Sequence, residues 1–174
     1  KTVTLEITPA ALTITADDKS KEFGASDPTL TASYTGFVSG EDQNDLSGTL
    51  SISRATGEAA GSYVITTSGL TATNYAIAYV DGTLTITNKS ITSTDITTGT
   101  IADFEYTGQA QTPTLEVKDG TTVLTQDTDY ILSYADNTNV GTATVTITGI
   151  GNYNGIKTVT LEITPAALTI TADD

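Results

Sequence analysis

The chain has 174 residues, of which 21 are acidic and 7 are basic, so its formal net charge is −14 at neutral pH. It contains no Cys, His, Met or Trp. A polyanionic surface repels nucleic acid and anionic membranes, and both are therefore disfavoured as partners. The lack of Cys excludes disulfides and thiolate chemistry, and the lack of His removes the commonest general base and metal ligand.

Alternation of apolar and polar residues predicts β-strands along most of the chain. In chain order the apolar positions are Val3/Leu5/Ile7, Leu12/Ile14/Ala16, Leu30/Ala32/Tyr34, Leu50/Ile52, Tyr63/Ile65, Tyr75/Ile77/Tyr79, Leu84/Ile86, Leu115/Val117, Tyr130/Leu132/Tyr134, Ala143/Val145/Ile147 and Val159/Leu161/Ile163. Thr fills most of the intervening positions, which favours antiparallel sheets with one solvent-exposed face. Only "SGEDQNDL" at 39–46 is expected to form a helical turn, with Ser39 as its cap.

Repeats organise the sequence at two levels. The eighteen residues "KTVTLEITPAALTITADD" at 1–18 recur at 157–174, a period of 156 residues (157 minus 1). At about half that spacing, 61–75 and 141–153 share a Gly start, an alternating run and an Asn-Tyr pair. We therefore predict related domains at 9–87 and 88–164. Residues 1–8 would then be the last strand of a preceding repeat, and 165–174 the first strand of the following one.

The expected fold class is all-β, with two small tandem β-sandwich (Ig-like) domains in an elongated arrangement. The linkers "PAA" at 9–11 and "NKS" at 88–90 are short. Pro9 fixes its own backbone angle and restricts the preceding residue to extended conformations, so bending at that joint should be limited.

The motifs of the first domain resemble those of a known family. "ALTITADDKSKEFGASDPTL", "GSYVIT" and "NYAIAYVDGTLTIT", within 11–87, look like an MBG (mostly beta, glycine-rich) domain of large bacterial surface proteins. "YTGQAQTPTLEVKDG" and "NVGTATVTITGIGNYNG" in the second half resemble the Ig-like repeats that accompany such domains. The resemblance implies a stalk segment of a bacterial adhesin, and it carries over no catalytic residues.

Two acidic groups are the candidate metal sites. They are Asp17 and Asp18 at the first domain joint, and Asp127, Asp129 and Asp136 in the second domain. Ca²⁺ bound there would stiffen an array, and the alternative is that these are solvated loop carboxylates. An EF-hand loop is excluded, because counting from Asp127 puts Ile131 at position 5 and Thr138 at position 12. No other cofactor is expected.

Other chemistry finds little support in the sequence. The glutamates are scattered and no pair is marked for glycoside hydrolysis, so we do not expect an enzyme. Most tyrosines fall on the alternating apolar faces, which indicates core residues with a polar tip rather than an exposed sugar-binding platform. A Lys–Asn isopeptide crosslink through Lys118 or Lys157 remains an alternative, since both lie on or near predicted strands.

The predicted function is a structural stalk repeat that projects a distal binding domain from the bacterial surface. The alternative is a repeat that itself binds glycan or host protein weakly and multivalently. In either case we expect an extracellular monomer whose partners are neighbouring repeats of the same chain, with no nucleic acid and no membrane insertion. The ligand of the distal domain is not identified by these residues.

Overall fold

The computed structural model describes residues 1–170, and the chain forms two compact units. Unit 1 comprises residues 1–87 and unit 2 begins at Asn88. Within the described range, regular structure is entirely β-strand apart from one 3-10 turn, so the all-β prediction is confirmed. That same range contains no helix long and apolar enough to cross a membrane.

Unit 1 is built from two sheets. Its strands are β1 (Ala10–Ala16), β2 (Lys19–Glu22), β3 (Ala32–Thr35), β4 (Ser47–Arg54), β5 (Gly61–Thr71), β6 (Tyr75–Val80) and β7 (Gly82–Thr87). The first sheet has the order β3-β1-β6, and the second has the order β2-β7-β5-β4. A core cluster of Ala16, Ile65, Leu84 and Ile86 joins β1 to the second sheet.

Unit 2 is built from three sheets. Its strands are β8 (Lys89–Ser90), β9 (Ile96–Thr98), β10 (Phe104–Glu105), β11 (Val117–Asp119), β12 (Thr122–Val123), β13 (Tyr130–Ala135), β14 (Gly141–Gly149), β15 (Tyr153–Asn154) and β16 (Ile156–Thr164). The sheet orders are β10-β16-β14-β13, β12-β11-β9 and β15-β8. Alternate residues of β14 and β16 face the core, among them Val145, Ile147 and Leu161.

The expectation of antiparallel sheets is wrong for four strand pairs. β1–β6 and β2–β7 in unit 1, and β8–β15 and β10–β16 in unit 2, are parallel. Alternation shows which face of a strand is buried, but it does not reveal the direction of the neighbouring strand. In each unit the parallel pairs join early strands to late ones.

The helical turn forms within the predicted stretch, but its cap is not Ser39. The turn is a 3-10 helix at Gln43–Asp45, and Asp42 caps it. The Asn44 amide donates to Asp42 Oδ1 at 2.7 Å, and the Asp42 amide donates to Asp45 Oδ2 at 2.8 Å. This reciprocal capping box satisfies two amides at once, an advantage that a cap three residues upstream lacks.

The outer parts of the eighteen-residue repeat do not form the strands that the same residues form further inside the chain. Residues 1–9 form no strand, although 157–164 lie in β16. Residues 165–170 likewise form no strand, although 9–14 lead into and form most of β1. The remainder of the strand predicted at 165–174, residues 171–174, lies outside the described residues.

Candidate functional site

The first two strands of unit 1, β1 and β2, pair in parallel with its last two, β6 and β7. β1 pairs with β6 from Ala10↔Tyr75 to Thr15↔Val80, and β2 pairs with β7 from Lys19↔Leu84 to Glu22↔Thr87. The residue offset stays at 65 throughout (75 minus 10, and 84 minus 19). Backbone hydrogen bonds from Ala10 to Asn74 (2.9 Å) and from Phe23 to Thr87 (2.8 Å) close its two ends. We call this pairing of 10–23 with 74–87 the parallel ladder.

Both strands of the ladder pass from one sheet to the other at the same level. The passage falls at Asp17 and Asp18 in the first strand, and at Asp81 in the last. Asp18 Oδ1 accepts a hydrogen bond from the Thr83 amide at 2.7 Å, so a side chain ties the strands together where the backbone pairing is interrupted. Beside it, a Cβ on Gly82 would lie 2.4 Å from the Ala16 carbonyl oxygen. The passage therefore needs glycine for close backbone approach.

The Asp17 side chain binds other residues than Asp18 does. Its carboxylate accepts from the Thr31 hydroxyl at 2.5 Å and from the Ser33 hydroxyl. The Ser33 hydroxyl and then that of Thr31 hold the pKa of Asp17 below its ordinary value, because both favour the charged form. The two adjacent aspartates thus bind separate partners, Asp18 across the ladder and Asp17 towards β3.

The second acidic group forms turns. Asp127 (φ 66°) and Asp136 (φ 55°) adopt the left-handed conformation that Asp and Asn tolerate better than most residues. Asp129 Oδ2 accepts from the Thr125 amide at 2.8 Å. Across residues 1–170, the structure does not bring three or more acidic side chains together as ligands for one ion. Both alternatives for Asp17, Asp18, Asp127, Asp129 and Asp136, a Ca²⁺ site or solvated loop carboxylates, stay predictions.

A four-residue ion network lies over the second sheet of unit 1. Arg54 contacts Asp27 through Nε (2.6 Å to Oδ2) and Nη2 (3.2 Å to Oδ1), and it also pairs with Glu58. Lys21 lies 2.7 Å from Asp27 and 2.6 Å from Glu58. The Arg54 and Lys21 contacts lower the pKa of Asp27 to about 2. The network fastens two loops to β2 and β4.

Sequence reasoning did not identify this network. Its members are spread over 21–58, and ion pairs between strands and loops leave no periodic signal. The available signal is that basic residues are rare: the chain has only seven, and two of them belong to this network.

The second unit has an ion pair at its own first strand. Lys89 is only 9% exposed, and its Nζ lies 2.6 Å from Asp119 Oδ1 and 3.3 Å from Asp95 Oδ2. The Tyr153 hydroxyl donates to Asp119 Oδ2 at 3.1 Å. Lys89 is also the register partner of Tyr153 in the β8–β15 pair. It was predicted to lie in a linker, and its neighbours in the sequence give no sign of burial.

Unit 2 repeats the arrangement of early and late strands in parallel. β8 pairs with β15, and the Lys89 amide donates to the Asn152 carbonyl at 3.0 Å. Further along, β10 pairs with the end of β16, and the Tyr106 amide donates to the Thr164 carbonyl at 2.8 Å. The two units thus share a topology in which the entering and leaving chain segments are hydrogen-bonded neighbours.

The lysines considered for a crosslink have non-covalent partners. Lys157 Nζ donates to the Ile96 carbonyl at 2.6 Å. Lys118 Nζ lies 2.6 Å from Glu116 Oε1, and both side chains are exposed to solvent. Neither contact places an asparagine side chain at the lysine.

Tyrosine side chains serve the cores and the strand edges. Their hydroxyls donate to backbone carbonyls, for example Tyr130 to Leu115 (2.8 Å) and Tyr134 to Pro113 (2.7 Å). The Tyr75 hydroxyl, which contacts Glu41, lines a polar cleft of about 230 Å³ together with Asp45 and Asn74. Because the Tyr75 ring is buried, that cleft offers acidic oxygens but no exposed aromatic face for sugar stacking.

Comparison with known proteins adds one finding. No curated protein matches the chain. The sequence model of the MBG domain (YGX type) matches residues 12–85, a range that holds most of the parallel ladder and the core cluster of unit 1. Members of this family are repeats of large bacterial surface proteins. Residues 12–85 of this chain are therefore similar in sequence to MBG domains of the YGX type.

Proposed function

We propose that this chain is a structural stalk repeat of a bacterial cell-surface adhesin, which projects a distal binding domain away from the cell. The observation that carries the proposal is the parallel pairing of entering and leaving strands in both units. The similarity of residues 12–85 to MBG domains supports a surface protein as the context.

The direction of pairing determines how a unit resists tension. Force that enters unit 1 at residue 10 and leaves it at residue 87 acts on opposite ends of the parallel ladder. Because the two pulled ends lie at opposite ends of the pair, the hydrogen bonds along it are loaded in shear at the same time and must break together. An antiparallel hairpin pulled at its open end would break one bond after another.

Load also passes from one unit to the next along a short piece of chain. Thr87 is the last residue of the ladder in unit 1, and Lys89 is the first paired residue of unit 2. Between them, the Asn88 side chain donates to the Gly151 carbonyl at 2.7 Å. This connection leaves no slack segment that would extend before the ladders are loaded.

The charge suits an exposed, repeated surface segment. A net charge of −14 makes neighbouring stalks repel one another and keeps each chain a monomer. We place the protein outside the cell, with neighbouring repeats of its own chain as its partners. The ligand of the adhesin would then bind at the distal domain.

Single-molecule pulling in two directions tests the proposal. The chain has no cysteine, so engineered cysteines give unique handles. Handles at Thr8→Cys and Asn88→Cys load the ladder in shear, whereas handles at Thr8→Cys and Thr73→Cys peel it from one end. We expect a clearly higher rupture force in the shear geometry. Equal forces in the two geometries would refute the proposal that the parallel ladder resists tension along the chain.

A binding screen distinguishes a structural stalk from a repeat that itself binds a ligand. The intact chain applied to a glycan array and to immobilised host matrix proteins should give no signal above that of unrelated acidic protein. A saturable signal would instead favour a repeat that itself binds glycan or host protein.

A further inference from the structure

The entering and leaving strands are paired over a shorter length in unit 2 than in unit 1. In unit 1 the parallel ladder comprises six register pairs between β1 and β6 and four between β2 and β7, all with one residue offset. In the described part of unit 2, the corresponding contacts are two register pairs between β8 and β15 and two between β10 and β16. Tension along the chain is therefore shared by fewer hydrogen-bonded pairs in unit 2.

The two short pairs of unit 2 do not form one continuous ladder. The residue offset is 64 in β8–β15 (153 minus 89) but 59 in β10–β16 (163 minus 104). Between these pairs the entering segment also joins another sheet, where β9 pairs antiparallel with β11. The leaving segment, in contrast, continues directly through Gly155 from β15 into β16. Tension applied at Lys89 and Thr164 consequently loads β8–β15 first, because the longer entering segment must be drawn out before β10–β16 is loaded.

A side-chain contact with little access to water reinforces the β8–β15 pair. Lys89 in β8 and Tyr153 in β15 are register partners, and both bind the carboxylate of Asp119. Lys89 Nζ lies 2.6 Å from Asp119 Oδ1, and the Tyr153 hydroxyl donates to Asp119 Oδ2 at 3.1 Å. Lys89 is 9% exposed and Tyr153 is 5% exposed, so these contacts lie where hydrogen bonds are stronger than in water. We call Lys89, Asp119 and Tyr153 the latch.

We infer that unit 2 opens before unit 1 under tension, by separation of β8 from β15 at a force that the latch determines. The inference rests on the proposed function, in which the chain carries tension along its length. Both units lie on one chain and bear the same tension, so the unit in which fewer pairs share it opens first. Opening lengthens the chain, and at a given separation of its ends this lowers the tension on the parallel ladder of unit 1.

A reversible crosslink identifies the unit that opens first. Lys89 and Tyr153 are buried, so the next residues along each strand, the register partners Ser90 and Asn154, face outward. Because the chain has no other cysteine, Ser90→Cys with Asn154→Cys gives one disulfide across β8 and β15. The full chain, pulled through handles fused to its two ends, should give two ruptures when the disulfide is reduced. Oxidation should remove the rupture at lower force, because residues 90–154 can then no longer extend.

Titration of free thiols confirms that the disulfide has formed before the chain is pulled. Loss of the higher-force rupture on oxidation overturns the inference. So do two ruptures that persist after oxidation, and two ruptures at equal force in the reduced chain. None of these results changes the comparison of shearing with peeling in unit 1, so failure of this inference is distinguishable from failure of the proposed function.

Substitutions in the latch provide a test without a crosslink. Lys89→Met removes the cation that joins β8 to Asp119, and Tyr153→Phe removes only a hydroxyl and keeps the ring. Each should lower the force of the first rupture and leave the second unchanged, with the smaller effect for Tyr153→Phe. Lys118→Met is the matched control, because Lys118 also lies on β11 but pairs with the exposed Glu116, and it should change neither rupture. A first rupture with the same force in the unaltered, Lys89→Met and Tyr153→Phe chains would overturn the role of the latch.

Discussion

Lys89 forms an ion pair with little access to water, because its residue is only 9% exposed. Its Nζ lies 2.6 Å from Asp119, whose other oxygen accepts from Tyr153. Lys89→Met leaves the Asp119 carboxylate without its cation, and we expect the free energy of unfolding to fall by roughly 2–3 kcal/mol. Denaturant titration measures this change. Adding Asp119→Leu to Lys89→Met should recover part of the loss, since no unpaired charge then remains.

A control for Lys89 is available on the same unit. Lys118 pairs with Glu116 at 2.6 Å, but both side chains are exposed. Lys118→Met should change stability by no more than about 0.5 kcal/mol, because exposed ion pairs contribute little. Equal effects of the two substitutions would show that burial of Lys89 has no energetic consequence.

The hydrogen bond to Asp119, followed by its charge, raises the pKa of Lys89, so this stabilisation is complete at neutral pH and is lost only above pH 10.5.

The ion network of unit 1 predicts sensitivity to acid. Arg54 and then Lys21 lower the pKa of Asp27 from 3.8 to about 2. A lowered carboxyl pKa stabilises the fold above the unfolded value, and this contribution disappears as pH falls from about 3.8 towards 2. We expect the thermal midpoint of unit 1 to drop through that window. Asp27→Asn should lower the midpoint at pH 7 and flatten its decline in acid, and an unchanged acid slope would contradict this role.

At the scale of elements, the passage of the parallel ladder between the sheets depends on close backbone contact. A Cβ on Gly82 would lie 2.4 Å from the Ala16 carbonyl oxygen, a backbone atom that cannot move aside alone. Gly82→Ala should therefore destabilise unit 1 by about 1–3 kcal/mol, as overpacking does elsewhere. Gly99→Ala is the control, since its nearest new contact is an ordinary 3.7 Å and substitution there should be nearly neutral. A neutral Gly82→Ala in denaturant titration would contradict this close contact between the two strands.

Which faces are buried could be predicted from the sequence, because period-two alternation is a local property. Leu12, Ile14 and Ala16 alternate with Thr and are buried, as are Ala143, Val145 and Ile147. Strand partners could not be predicted in this way, since β1 meets β6 across 65 residues and no local pattern encodes that pairing.

The difference between local patterns and distant partners also explains what could be predicted about the charged residues. Asp17 and Asp18 were recognised as residues of a joint, but their partners Ser33, Thr31 and Thr83 come from distant strands. Lys89 was missed because its burial is created by Asp119 and Tyr153, which approach only after unit 2 has folded.

For the whole molecule, the dominant electrostatic fact is a net charge of −14. Mutual repulsion of the carboxylates disfavours the compact state, and dissolved cations weaken that repulsion by screening. Any salt should therefore raise the thermal midpoint somewhat. Screening of this kind depends on ionic strength and not on the identity of the cation, which gives a way to separate it from a bound ion.

We expect Ca²⁺ and Mg²⁺ at equal millimolar concentration to raise the thermal midpoint equally, and chelator at matched ionic strength to leave it unchanged. The reason is that Asp17 and Asp18 already accept hydrogen bonds from Ser33, Thr31 and Thr83, so binding an ion there would break contacts of the fold. Ca²⁺ sites in proteins require six to eight converging oxygens. Differential scanning calorimetry with both ions decides the matter. A rise specific to Ca²⁺, abolished by Asp129→Asn, would instead place an ion in the loops of unit 2, whereas one abolished by Asp17→Asn would place it beside the parallel ladder.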